Sequence, residues 1–152
     1  MRIALLSLVL AACASTAAPK PATNGGYDAA RAKRLGADEY GMKTYVIAFL
    51  YRGPNRPADP EESKRLMRAH LDNIGRLAAA GTLMVAGPMQ DDTDLRGIYV
   101  FDVATIAEAE ALTKTDPAIA YGSLRMELHP WYGSAALGEV PAIHEAIART
   151  KI

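Results

Sequence analysis

The chain has 152 residues, and its 17 lysines and arginines balance 17 aspartates and glutamates, so its formal net charge is zero. That balance offers no basic face to nucleic acid, whose binding rests on neutralising phosphates. The length suits one domain with its own core and is short for two.

The first element is a targeting segment. Arg2 precedes an apolar run from Ile3 to Leu10 that is too short to span a bilayer as a helix. Leu10-Ala11-Ala12-Cys13 fits the lipobox of bacterial lipoproteins. There the cysteine thiol takes a diacylglyceryl group, the chain is cut before it, and the new amine is acylated. An ordinary signal peptide with an incidental cysteine is the alternative. The lipobox makes residues 1–12 the signal peptide and Cys13 the lipidation site, with a membrane partner held stably by two or more acyl chains. Ala14 follows, not an aspartate. The expected location is therefore the outer membrane, facing the periplasm. Cys13 is the only cysteine. The rest of the chain therefore has no disulfide, thiol nucleophile or cysteine-ligated metal.

Residues 13–41 read as a flexible tether. They are Ala, Thr, Pro, Gly and polar residues without sustained periodicity. The folded domain is expected over 43–133, with a C-terminal tail at 134–152. Thr44–Tyr51 reads as a strand, rich in β-branched and aromatic residues. It is apolar on both faces, with Tyr45, Ile47, Phe49 and Tyr51 on one and Val46, Ala48 and Leu50 on the other. Such a strand is covered on both sides.

Asp59-Pro60-Glu61-Glu62 opens a helix, with Asp59 as N-cap, Pro60 at the first position and Glu62 completing a capping box. The helix should run to Ala80 and stop at Gly81. Its apolar stripe is Leu66/Met67, Leu71, Ile74, Leu77 and Ala78. His70 falls between Met67 and Ile74 and is expected to face inward. Thr82–Ala86 and Gly97–Phe101 are further strands, the first ended by Gly87-Pro88. Thr105-Ile106-Ala107-Glu108 is a capping box that opens a helix to about Thr113. Asp116-Pro117 can cap a short turn closed at Gly122. Leu124–Trp131 is the fourth strand, and Pro141–Lys151 a small terminal helix.

The order β-α-β-β-α-β predicts an α+β, ferredoxin-like domain: a four-stranded antiparallel sheet with two helices on one face. The sequence holds no further long element for the other face. A second copy packed sheet to sheet, giving a homodimer, is the economical cover.

Arg68-Ala69-His70-Leu71, the Gly81 helix end, Leu83–Met89, Asp116-Pro117 and Gly122, and a strand ending Pro130-Trp131 together resemble the YciI-like, or YCII-related, family. The likeness runs from about Lys43 to Gly133. It implies a dimeric α/β barrel, similar in fold to muconolactone isomerases and small cofactor-free oxygenases. It also implies a His/Asp active centre, which falls here on His70 and Asp116. Ala118 stands where family members often carry an aromatic residue after Asp-Pro.

Taken on the residues alone, His70 is either a core histidine or a half-buried imidazole that moves protons near neutral pH. Asp116 is either a helix cap or the carboxylate that orients that imidazole. The last strand alternates, which sends Leu124, Met126 and Leu128 to the helices and Arg125, Glu127 and His129 to the barrel side. Arg125 can then receive an anionic group of a small-molecule ligand, with Tyr51, Tyr99 and Trp131 as aromatic walls; Gly87 is a further expected ligand-binding residue. Interface ion pairing is the alternative for this polar strand face. His144 sits in the tail, and three scattered histidines lack metal-site spacing. No metal or cofactor is expected. The expected activity is cofactor-free acid–base chemistry of an isomerase, lyase or hydrolase type. A non-catalytic ligand-binding or assembly domain of the envelope is the alternative.

Overall fold

The computed structural model describes residues 26–150, so the signal segment, Cys13 and the first part of the expected tether lie outside the described residues. Helix α1 (Ala29–Leu35) precedes strand β1 (Met42–Arg52). Helix α2 (Pro60–Ala79) connects β1 to β2 (Leu83–Pro88), which pairs with β3 (Leu95–Phe101). Helices α3 (Ile106–Thr113) and α4 (Pro117–Tyr121) lead to β4 (Leu124–Ser134). A 3-10 turn (Ala135–Glu139) and helix α5 (Val140–Ile147) follow. The sheet is antiparallel throughout, in the order β2-β3-β1-β4. This is the expected α+β, ferredoxin-like arrangement.

Local chemistry fixes the helix ends. The Asp59 side chain accepts the Glu61 amide, although the reciprocal bond expected from Glu62 does not form. At the other end Gly81 adopts φ 70. Its amide donates to Ala78 and that of Thr82 to Leu77, which closes a Schellman motif. The Thr105/Glu108 capping box forms as expected. Strand β4 runs three residues beyond Trp131 because β1 pairs with it along its full length, from Met42 opposite Ser134 to Arg52 opposite Leu124. Pro130 is tolerated there because β4 is an edge strand.

The main core lies between helices and sheet. Val46, Ala48, Leu50, Tyr99 and Phe101 pack under Leu77 and Ala109, and Leu124, Met126 and Leu128 join them. Along α2 the buried residues are His70, Asn73 and Leu77. Met67, expected in the apolar stripe, is exposed: the buried line runs through Leu66 and His70, one helical step away.

Two segments depart from expectation. Residues 29–35, read as tether, are helical. Asp28 caps them by accepting the Arg31 amide, and Gly36 ends them at φ 69. Arg31 and Arg34 of this helix bond to Glu139. The helix-free face, for which the sequence offers no cover, is covered at one end by the C-terminal segment. Leu137 packs there against Tyr45, Met84 and Val100. Phe49 and Tyr51 at the other end remain half-buried.

Candidate active site

His70 and Asp116 meet. The imidazole Nδ1 lies 2.8 Å from Asp116 Oδ2 and 3.0 Å from Oδ1. A carboxylate only accepts, so Nδ1 carries the hydrogen and donates it. Nε2 is left without a hydrogen, as the nitrogen that can accept a proton. His70 is 9% exposed and Asp116 1%. Asp116 is held from below, because its Oδ1 also accepts the Ala118 amide at 2.9 Å as the N-cap of α4. One turn along α2 from His70, Asn73 Oδ1 and Thr115 Oγ1 each accept from Arg76 at 2.7 Å. That link ties α2 to the residue preceding Asp116. Asn73 Nδ2 is buried and has no hydrogen-bond partner among the described residues.

Tyr99 departs from its expected place among the aromatic walls of the barrel side: it is buried on the helix face. Its hydroxyl lies 3.4 Å from His70 Nε2, and the two rings stack 6.4 Å apart at 20°. Strand alternation carries the clue: Tyr99 pairs with Ala48, which shares a face with Val46 and Leu50. Burial, with the Asp116 carboxylate nearby, pushes the Tyr99 phenol well above its ordinary value. It therefore stays protonated and can donate toward Nε2.

The expected ligand-binding residues do not join this pair. Arg125 stacks over the Tyr51 ring at 4.3 Å and bonds to Glu127 at 2.7 Å, on the helix-free face. His129 meets Phe49 edge-on at 5.7 Å on the same face. Trp131 packs on Tyr45 with centroids 6.0 Å apart. Tyr45 lies six positions from Tyr51 along β1, about 20 Å at the usual strand rise, so Trp131 and Arg125 do not share a site. Gly87 pairs with Ile98 on β2, at the sheet edge opposite β4. The sheet itself separates His70 from Arg125, because alternate residues of a strand point to opposite faces. Among the described residues, no three His, Cys, Asp or Glu are gathered closely enough to hold a metal ion.

Two surface cavities lie away from the pair. One, of about 550 Å³, is lined by Lys43, Thr44, Asp102, Val103, Ala104 and Glu108. The other, of about 430 Å³, lies between α1, the 37–41 segment and the 3-10 turn.

The sequence profile of the YCII-related domain matches residues 45–132, more than half of the chain. The chain belongs to the YCII-related family. Both members of the buried pair, His70 and Asp116, fall inside the YCII-related domain, whereas α1 and α5 fall outside it. Among solved structures, the chain is similar to 5-chloro-2-hydroxyhydroquinone dehydrochlorinase (TftG) from Burkholderia phenoliruptrix AC1100, in complex with 2,5-dihydroxybenzoquinone. The identity is 22% and the TM-score 0.41, over 57% of this chain and 92% of that one. No curated protein matches the chain.

Proposed function

We propose that the chain is a lipid-anchored envelope protein whose YCII-related domain carries out acid–base chemistry on a small molecule. The observation that supports the chemistry is the buried His70–Asp116 contact. Asp116 fixes the imidazole in one tautomer with Nε2 unprotonated, which is the arrangement a general base needs. His70 takes or gives the substrate proton at Nε2, and Asp116 stabilises the ring as it becomes charged. Tyr99 offers a neutral hydroxyl beside the same nitrogen. No metal or cofactor is required. Deuterium wash-in tests this. A pool of small neutral and anionic compounds is incubated in D2O with the wild-type protein and with His70→Ala, then read by mass spectrometry. Exchange that the wild type promotes and His70→Ala loses by about 10²–10⁴-fold supports the reading. No exchange by the wild type, or equal exchange by both, sinks it.

The rival reading is a non-catalytic ligand-binding or assembly domain. Two observations favour it: Asp116 already serves as the cap of α4, and the pair lies apart from the two cavities described above. In that reading Arg125 and Tyr51 are the groups available to an anionic ligand.

Anchorage rests on Leu10-Ala11-Ala12-Cys13. The mature chain would begin at acylated Cys13, on the periplasmic side of the outer membrane. Among the described residues, no helix is long and apolar enough to cross a membrane. Cells fed a radioactive fatty acid should label the wild type and not Cys13→Ala; an unlabelled wild type removes the anchor. The open end of the helix-free face, around Phe49 and Tyr51, is where a second copy would pack. Light scattering that finds a monomer at micromolar concentration removes the dimer.

A further inference from the structure

We propose that the end of the domain built from α1 and α5 docks flat against the lipid bilayer surface. This rests on the reading that Cys13 is acylated and adds a surface to it. Helix α5 presents Val140, Ile143 and Ile147 at steps of three and four, which places them on one stripe. Ile143 is 55% exposed and Ile147 75%. Exposed isoleucines spaced this way on an amphipathic helix form an apolar face left without cover among the described residues. Close by, Tyr27 and Tyr40 are 82% and 77% exposed and line the 430 Å³ cavity together with Ala135 and Ala136 of the 3-10 turn that leads into α5. Tyrosines are favoured at the level of the lipid headgroups, with apolar side chains just beneath them.

The point where the chain leaves the structure identifies lipid as the occupant. The segment outside the described residues joins at Gly26, next to Tyr27. From Cys13, a fully extended chain at about 3.5 Å per residue holds Tyr27 within about 49 Å of the anchor. The end that carries the isoleucines is therefore also the end that the anchor retains. It is a rigid end: Arg31 and Arg34 of α1 both bond to Glu139, the residue that opens α5. An eight-residue helix cannot span a membrane, but it can rest in the interface with its apolar side down.

The test uses the full chain on phosphatidylethanolamine–phosphatidylglycerol vesicles that contain brominated acyl chains. An environment-sensitive fluorophore is placed through I147C, or through K64C on α2, on the other side of the sheet. Mass spectrometry of each preparation reports whether Cys13 is acylated; where it is not, Cys13→Ser is made before labelling. Docking predicts that the bromolipid quenches the probe at 147 at least about twofold more than at 64, and that Ile143→Ser reduces the difference. Quenching in an unacylated chain supports the docking and shows that it does not need the anchor. Equal quenching at 147 and 64 overturns the docking, whether or not Cys13 is acylated. A probe shift at 147 that grows with protein concentration without lipid also overturns it, because a second copy then covers α5.

Discussion

Asp116 holds His70 and its own helix with the same carboxylate: Oδ1 lies 3.0 Å from His70 Nδ1 and 2.9 Å from the Ala118 amide, while Oδ2 lies 2.8 Å from Nδ1. Capping and orienting can be separated by substitution. Asn is as good an N-cap as Asp, and its oxygen can still accept from Nδ1. Asp116→Ala removes the cap and leaves the Nδ1 hydrogen buried without an acceptor, a combined loss of about 2–4 kcal/mol. Urea unfolding should therefore place Asp116→Asn above Asp116→Ala by at least about 1 kcal/mol. Equal losses would mean that the charge alone holds the site.

Tyr99 gives the domain a dependence on alkaline pH. Its folded-state phenol titrates above the ordinary value of 10.0, because burial comes first among the causes and the Asp116 carboxylate adds to it. A group whose folded value is raised contributes stability that is fully present below its unfolded value and is lost as pH rises through the folded one. The domain should lose stability above about pH 10, and Tyr99→Phe should flatten that loss. Thermal melts at a series of pH values, set beside tyrosinate absorbance, check it. Parallel melting curves for the two proteins would refute the assignment.

The turn beneath the site is intolerant of a single methyl group. Gly53 donates its amide to Ser123 at 2.9 Å, and a Cβ there would fall 2.2 Å from the Gly122 carbonyl oxygen. That contact is backbone on backbone, so no side chain can swing away. Gly53→Ala should cost about 2 kcal/mol or more and push α4, with Asp116, away from α2. A loss under about 0.5 kcal/mol in urea would show that the turn can yield.

The α1 clasp should open in acid. Arg31 holds the Glu139 carboxyl below its ordinary 4.5, through a direct bond and then through charge, with Arg34 adding to it. A depressed carboxyl contributes stability above its unfolded value and loses it as pH falls through the folded one. The protection of the amides of residues 29–35 against hydrogen exchange, taken relative to the intrinsic rate at each pH, should therefore fall below about pH 4, and at neutral pH in Glu139→Gln. Unchanged protection in the variant would show that the packing of Leu35 beside Gly138 of the 3-10 turn, not the ion pair, holds α1.

The sheet, α2 and α3 were legible because their signals are local: a two-sided apolar strand, Asp59-Pro60 and Gly81 at the helix ends, and the Thr105/Glu108 box. His70 was legible by helical spacing even though its neighbour Met67 was misplaced by one step. Helix α1 was not legible. Its seven residues offer only Ala29, Ala32 and Leu35 as an apolar line, and its ion-pair partner lies 108 positions away at Glu139. Tyr99 was readable only through register, since the face that an isolated strand residue takes depends on which partner it pairs with. The expected site also combined two faces of one sheet. Arg125, Tyr51 and Trp131 were assigned to the barrel side and His70 to the helix side, and no element carries a ligand from one to the other.

The clasp between Arg31, Arg34 and Glu139 also sets an order of events. The first helix of the folded part waits for a residue close to the C-terminus, so it is among the last pieces to lock. In a chain made N-terminus first, residues 29–35 are complete long before Glu139 exists. A chain cut short just before Glu139 would keep every strand of the sheet and lose the partner that holds its first helix.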